Sequence, residues 1–168
     1  GYFPSMHPNT VLKSPYIDFV LKGHAEYSFI ELLDSLEVKP GAKALNQIAG
    51  LSFKHDGLIS HNVKAEPIDP DRIPRLPYHK VDVDKYLNFG KTYLGPRTIG
   101  YHSSVGCPFL CGFCAVAGIY KGKWLGRSAE LTASDIIFLK EKYNIGAGEF
   151  HDNNFFVSEK RTVEFSRL

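Results

Sequence analysis

Three cysteines, the only ones in the chain, stand at Cys107, Cys111 and Cys114, a C-x3-C-x2-C spacing. Three converging thiolates can hold a metal centre and leave one coordination position open, where a substrate or cofactor can bind and react. A disulfide framework does not suit an odd, local cluster. A structural zinc site completes four ligands, and His102 or another histidine could supply the fourth, so zinc stays open beside an iron–sulfur centre. A ferredoxin-type cluster wants a fourth cysteine, and the chain has none.

The elements around the cysteines decide what they can face. Arg97 to Val105 reads as a strand, broken by Gly106 and Pro108. The cysteines then lie in a loop leaving the C-terminal end of a strand, the active end of parallel α/β folds. Gly112 gives the backbone room to approach a ligand, and Phe113 places an aromatic ring beside the last cysteine. Downstream, Ser128 can cap a helix whose first turn carries Glu130; Thr132-x-x-Asp135 offers a competing capping box. Leu131, Ile136, Leu139 and Tyr143 mark its buried stripe, and Asn144-Ile-Gly-Ala-Gly ends it. A second strand, Glu149 to Phe156, carries polar residues towards its end. Ser158 opens a last helix with Val163, Phe165 and Leu168 on its apolar side.

Upstream, Tyr16 to Lys22 reads as a short buried strand bounded by Pro15 and Gly23. Tyr27 to Leu36 carries apolar residues at helical spacing (Phe29, Ile30, Leu32, Leu33, Leu36), with Glu26 favoured by the dipole at its start. Asp56-Gly57 between two alternating runs, Ile48 to Lys54 and Leu58 to Asn62, predicts a hairpin. Pro67, Pro70, Pro74 and Pro77 make a stiff connector along which Arg72, Arg75 and Lys80 are expected to be solvated, and Val83 to Leu87 a helical turn.

With the cysteine spacing and the aromatic before the last cysteine in hand, the chain resembles the radical S-adenosylmethionine enzymes. The resemblance implies that Cys107, Cys111 and Cys114 ligate three irons of a [4Fe–4S] cluster. The fourth iron then holds S-adenosylmethionine, which one-electron reduction cleaves to a 5′-deoxyadenosyl radical. Phe113 would lie near the adenine, and Asp152 and Asn153, at the end of the second strand, near the methionine amino group. A cap for the following turn is the structural reading of the same pair. Gly1 and the His7-Pro8 pair look like the glycine loop and His-Pro of the cobalamin-binding domain attached to many of these enzymes, so cobalamin is implied as well. Gly23-His24-Ala25-Glu26 matches the place where relatives carry Gly-Glu-Gly-Glu, and Glu26 is equally a structural residue of the helix start. Arg127 reads either as a contact to a cofactor carboxylate or acidic substrate, or as a surface arginine. Tyr101, His102 and His151 read as pocket residues or as structural ones.

The resulting expectation is an α/β chain in three parts. Residues 1–45 are the C-terminal part of a Rossmann-like cobalamin-binding domain, 46–96 a hairpin and proline-rich interdomain linker, and 97–168 the first two βα units of a partial TIM-type barrel. Two parallel strands cannot cover both faces of a sheet. The segment is thus read as the middle of a longer protein, expected to expose sheet edges and aggregate when isolated. The implied activity is methylation or rearrangement at an unactivated centre of a small-molecule substrate, with an electron donor such as flavodoxin or ferredoxin. A non-catalytic zinc or iron–sulfur module is the alternative. A formal net charge of +2, without basic runs, argues against nucleic acid. No apolar run has membrane-spanning length. Clustered thiols and an oxygen-labile cluster predict the cytoplasm.

Overall fold

The computed structural model describes residues 1–89 and 92–168. In chain order its helices are α1 (Tyr2–Met6), α2 (Pro8–Leu12), α3 (Glu26–Leu36), α4 (Val83–Phe89), α5 (Ala115–Tyr120), α6 (Ala129–Tyr143) and α7 (Glu159–Arg167). Its strands are β1 (Phe19–Leu21), β2 (Leu51–His55), β3 (Leu58–His61), β4 (Thr98–Tyr101), β5 (Ser104–Gly106), β6 (Trp124–Gly126) and β7 (Ala147–Phe150). The chain divides into two compact units, Gly1–Ile68 with Phe109–Lys121, and Asp69–Pro108 with Gly122–Leu168. Among the described residues no helix is long and apolar enough to cross a membrane.

The first unit is built on the expected hairpin. Asp56 and Gly57 both take positive φ, 49° and 76°, and His55 pairs with Leu58 across them. This is the two-residue turn whose twist matches that of the flanking strands, and glycine adopts its second position without strain. The hairpin is not a free connector. β2 is buried along Leu51, Ser52 and Phe53, so it needs a neighbour on each side. β1 supplies the second, antiparallel, with Phe19 opposite Phe53. β1 is shorter than its apolar run predicts, because the backbone turns at Ser14–Ile17 and leaves Tyr16 exposed. Leu32, Ile48, Leu51 and Phe53 form the core, with Phe19, Leu21 and Leu45 against them. α3 forms as predicted but buries only Ser28 and Leu32. Phe29, Ile30, Leu33 and Leu36 face out, because a three-stranded sheet covers one narrow line of the helix. His61 bridges Ser52 and Asn9, one ring nitrogen to each at 2.8 Å, and so ties α2 to the hairpin.

The second unit carries a parallel pair. β4 and β7 run side by side with Thr98 opposite Ala147 and Tyr101 opposite Phe150, joined by a crossover containing α6, as a βα unit requires. Val83, Leu87, Tyr101, Leu139 and Ile145 are its core, with Ile99, Ile136, Phe138, Tyr143 and Phe150 packed around them. α6 starts at Ser128, whose hydroxyl accepts the Leu131 N–H, and ends on Asn144 in the left-handed conformation. The competing capping box does not form. Thr132 lies inside the helix, donating its hydroxyl to the Ser128 carbonyl at 2.7 Å, and Asp135 points inward.

Several apolar stripes differ from expectation. Leu131, Val163 and Leu168 are exposed, whereas Thr132, Asp135 and Arg161 are buried; only Phe165 of the predicted α7 face packs, against Phe150 and Phe155. The strand predicted over 97–105 is two strands. After Tyr101 the Ser103 N–H leaves the ladder to bind Asp152, and β5 then pairs antiparallel with β6. The predicted second strand likewise stops at Phe150, and Phe155–Val157 form a 3-10 turn. The proline-rich segment is docked rather than solvated at Arg75, whose guanidinium pairs with the buried Asp135.

Candidate cofactor site

Cys107 follows β5 directly and is half-buried; it belongs to the second unit. Cys111 and Cys114 belong to the first, Cys111 exposed and Cys114 half-buried. The loop folds back on itself where the Cys114 N–H donates to the Cys111 carbonyl at 3.0 Å, and Cys114 then precedes α5 in extended backbone. All three are free thiols. Phe113 is 95% exposed, with Phe109 and Leu110 also largely outside. Among the described residues no group of three or more His, Cys, Asp or Glu side chains is gathered to hold a metal ion. Cysteine thiols are nonetheless the ligand type that an iron–sulfur cluster takes.

The end of β7 is occupied by a polar network inside the second unit. The half-buried Asp152 carboxylate accepts the Ser103 N–H at 3.1 and 3.2 Å and the Ser103 hydroxyl at 3.0 Å. The Ser104 hydroxyl bonds Asp152 as well. Arg161, buried on α7, donates Nη2 to Ser103 Oγ at 2.6 Å and to the Ser103 carbonyl at 3.3 Å, and Nε to the Arg127 carbonyl at 2.6 Å. Its guanidinium lies 5.0 Å from the Phe155 ring centre and 5.9 Å from that of Trp124, whose indole N–H holds the Asn154 carbonyl at 3.1 Å. Burial lowers the Arg161 pKa, and the charge of Asp152 opposes that shift. A Cβ on Gly126 would stand 2.4 Å from the Trp124 ring and 3.2 Å from Arg161 Cδ, so this close approach needs glycine.

A second network lies under β4. The Asp135 carboxylate accepts Arg75 Nε at 2.6 Å and the Tyr101 hydroxyl at 2.7 Å, and Arg127 Nε stands 3.2 Å away as an ion pair. Arg127 also donates to the carbonyls of Pro70 and Ile73, and the Ser128 N–H to Asp71. Arg127 is therefore neither a surface arginine nor open to a ligand here; it fastens the proline-rich segment. Burial, then the Asp135 hydrogen bond and charge, push the Tyr101 pKa well above the usual phenol value, with Arg127 opposing. Burial raises Tyr78 as well, with the charge of Asp135 adding to it.

Of the remaining predicted residues, Asn153 is exposed beside Asp152, and Gly1 and His7 are exposed at the start of the chain, His7 with its ring against Phe3. His102 and His151 meet edge to face at 5.7 Å, His151 lies 3.3 Å from Glu149, and the His151 ring covers Gly100. His24 lies 3.7 Å from Glu26 at the start of α3. Ser103, Ser104, Trp124 and Arg161 escape the sequence reading. The adjacent serines at a strand end carry a weak signal; Arg161, on a polar-looking helix, carries none.

No family model matches the chain. It is 33% identical over 162 residues to an uncharacterized methyltransferase of Pyrococcus horikoshii, covering 94% of this chain and 33% of that protein. It is 29% identical over 166 residues to an anaerobic magnesium-protoporphyrin IX monomethyl ester cyclase of Synechocystis sp., covering 98% and 32%. Among solved structures it matches the cobalamin-dependent S-adenosylmethionine radical enzyme OxsB, with aqua-cobalamin and S-adenosylmethionine bound, at a TM-score of 0.72 and 20% identity over 98% of this chain and 23% of that one. It also matches the radical S-adenosylmethionine methyltransferase TsrM of Kitasatospora setae, with tryptophan substrate and a cofactor analogue bound, at 0.68 and 17% over 99% and 31%. The chain spans about a third of the length of these curated relatives.

Proposed function

We infer, from a chain that fits a segment of the radical S-adenosylmethionine enzyme family, that the intact protein binds a [4Fe–4S] cluster through Cys107, Cys111 and Cys114. With it the protein cleaves S-adenosylmethionine reductively, together with cobalamin, to methylate or rearrange an unactivated substrate centre. The observation that carries this reading is the set of three free thiols at C-x3-C-x2-C spacing in a loop that follows a strand end.

When bound, the cluster supplies one electron to the sulfonium and cobalamin a carrier for a methyl group; the protein's share is binding and orientation. Cys107, Cys111 and Cys114 would hold three irons of such a cluster and would leave the fourth for the cofactor's amino-acid moiety. Phe113 offers an unpacked aromatic face suited to an adenine. Asp152 is an acceptor held by several donors, suited to an ammonium group, and Asn153 stands exposed beside it. Gly1 and His7 are assigned to the cobalamin side.

The test is anaerobic reconstitution of the intact protein with iron and sulfide. The reading expects close to four irons and four sulfides per chain, as the cluster formula requires, and loss of the cluster in C107A, C111A and C114A. Stoichiometric zinc without sulfide would replace it with the structural-module reading.

A further inference from the structure

We propose that Arg161 is a positioning residue that acts through Ser103 to set the acceptor geometry of Asp152; the inference rests on the cofactor reading above.

The direction of the hydrogen-bond chain follows from what each group can do. A guanidinium only donates, so Ser103 Oγ must accept from Arg161 Nη2 at 2.6 Å. A serine hydroxyl has one proton, and the carboxylate only accepts, so that proton goes to Asp152 at 3.0 Å. Without the arginine the hydroxyl keeps Asp152 as its acceptor but loses the donor that holds its oxygen in place. The Ser103 N–H and the Ser104 hydroxyl also reach Asp152. A carboxylate offers about four acceptor directions. Three donors from residues 103 and 104, two of them within reach of both oxygens, take up most of that acceptor capacity, and Arg161 fixes where the Ser103 hydroxyl points.

The arginine is more than a filler of its apolar seat. The residue is 7% exposed, and its Nη1 is buried without a hydrogen-bond partner. A methionine would fill the same space between Trp124 and Phe155, but it would leave the Ser103 hydroxyl and the carbonyls of Ser103 and Arg127 without the hydrogen bonds that Arg161 gives them. What methionine cannot do is donate to Ser103. Gly126 completes the seat, since any side chain there would displace Trp124 and Arg161.

The experiment uses the intact, anaerobically reconstituted protein and S-adenosylmethionine itself as probe, with affinity read from the titrated change in the reduced cluster's spectrum. R161M is expected to load iron and sulfide as the wild type does and to bind the probe on the order of tenfold more weakly, as loss of a supporting hydrogen bond usually does. R161K, which keeps one donor, should recover part of the loss. S103A should weaken binding in the same direction, and R161M/S103A should be no weaker than the worse single variant. Unchanged affinity in R161M or S103A, or additive losses in the double variant, would overturn the proposal. Should R161M fail to fold, S103A with Arg161 intact decides it. A crystal structure of R161M separates this failure from failure of the cofactor reading. If the wild type binds no S-adenosylmethionine the cofactor reading fails, while a Ser103–Asp152 pair unmoved in R161M removes the positioning role by itself.

Discussion

Asp135→Ala is the perturbation whose cost the structure defines best. The carboxylate is 7% exposed and faces three partners: Arg75 at 2.6 Å, Tyr101 at 2.7 Å and Arg127 at 3.2 Å. Removing it does not simply delete three contacts. The Arg127 side chain, 11% exposed, keeps its charge with the nearest counter-charge gone, and the Tyr101 hydroxyl loses its acceptor inside the core. Breaking one side of a buried ion pair costs about 3–5 kcal/mol, and the orphaned hydroxyl belongs to the same loss rather than adding to it in full. Arg75 is different, since its side chain is 35% exposed and water screens its half of the pair. R75A should therefore cost about 1 kcal/mol or less. Native-state hydrogen exchange on peptides covering β4 and α6 of the intact protein reads the opening free energy of this unit directly. D135A should lower it by several times the effect of R75A. A D135A loss below about 1 kcal/mol, or one equal to that of R75A, would refute the argument that Asp135 is the buried hub of this unit.

Three further outcomes follow from single features. G126A places a methyl 2.4 Å from the Trp124 ring, and overpacking of this kind should destabilise the protein by about 1–3 kcal/mol in thermal unfolding. S128A removes the hydroxyl that accepts the Leu131 N–H and should cost about 1 kcal/mol, visible as faster exchange in the first turn of α6 only. Tyr101 has a folded pKa raised by burial and by Asp135, so its contribution to stability is complete below the unfolded value of about 10 and falls as pH rises above it, where the unfolded chain ionises first. Denaturation midpoints should thus decline between about pH 10 and 11 in the wild type and decline less in Y101F.

The features legible in the sequence are those written locally. Asp56-Gly57 sets a hairpin because both residues tolerate positive φ, Ser128 caps a helix within one turn of itself, and Asn144 ends it in the left-handed conformation. The three cysteines are legible for the same reason, since their spacing is their signature. What escaped was pairing at a distance. Arg75 and Asp135 are 60 residues apart, and neither carries a mark that distinguishes a buried partner from a solvated charge. Arg161 lies 58 residues from the serine it grips. Apolar periodicity overstated burial at Leu131, Val163 and along α3, because sheets of two and three strands offer little surface to cover them. The break between β4 and β5 is likewise a tertiary event: Ser103 trades a ladder hydrogen bond for Asp152.

Electron paramagnetic resonance of the reduced, reconstituted intact protein, with and without S-adenosylmethionine, tests whether one iron of the proposed cluster is left without a protein ligand. The expected result is a [4Fe–4S] signal whose g values shift when the cofactor is added and do not shift with an analogue lacking the amino and carboxylate groups. A cluster spectrum indifferent to S-adenosylmethionine, or protein holding zinc in its place, would contradict it.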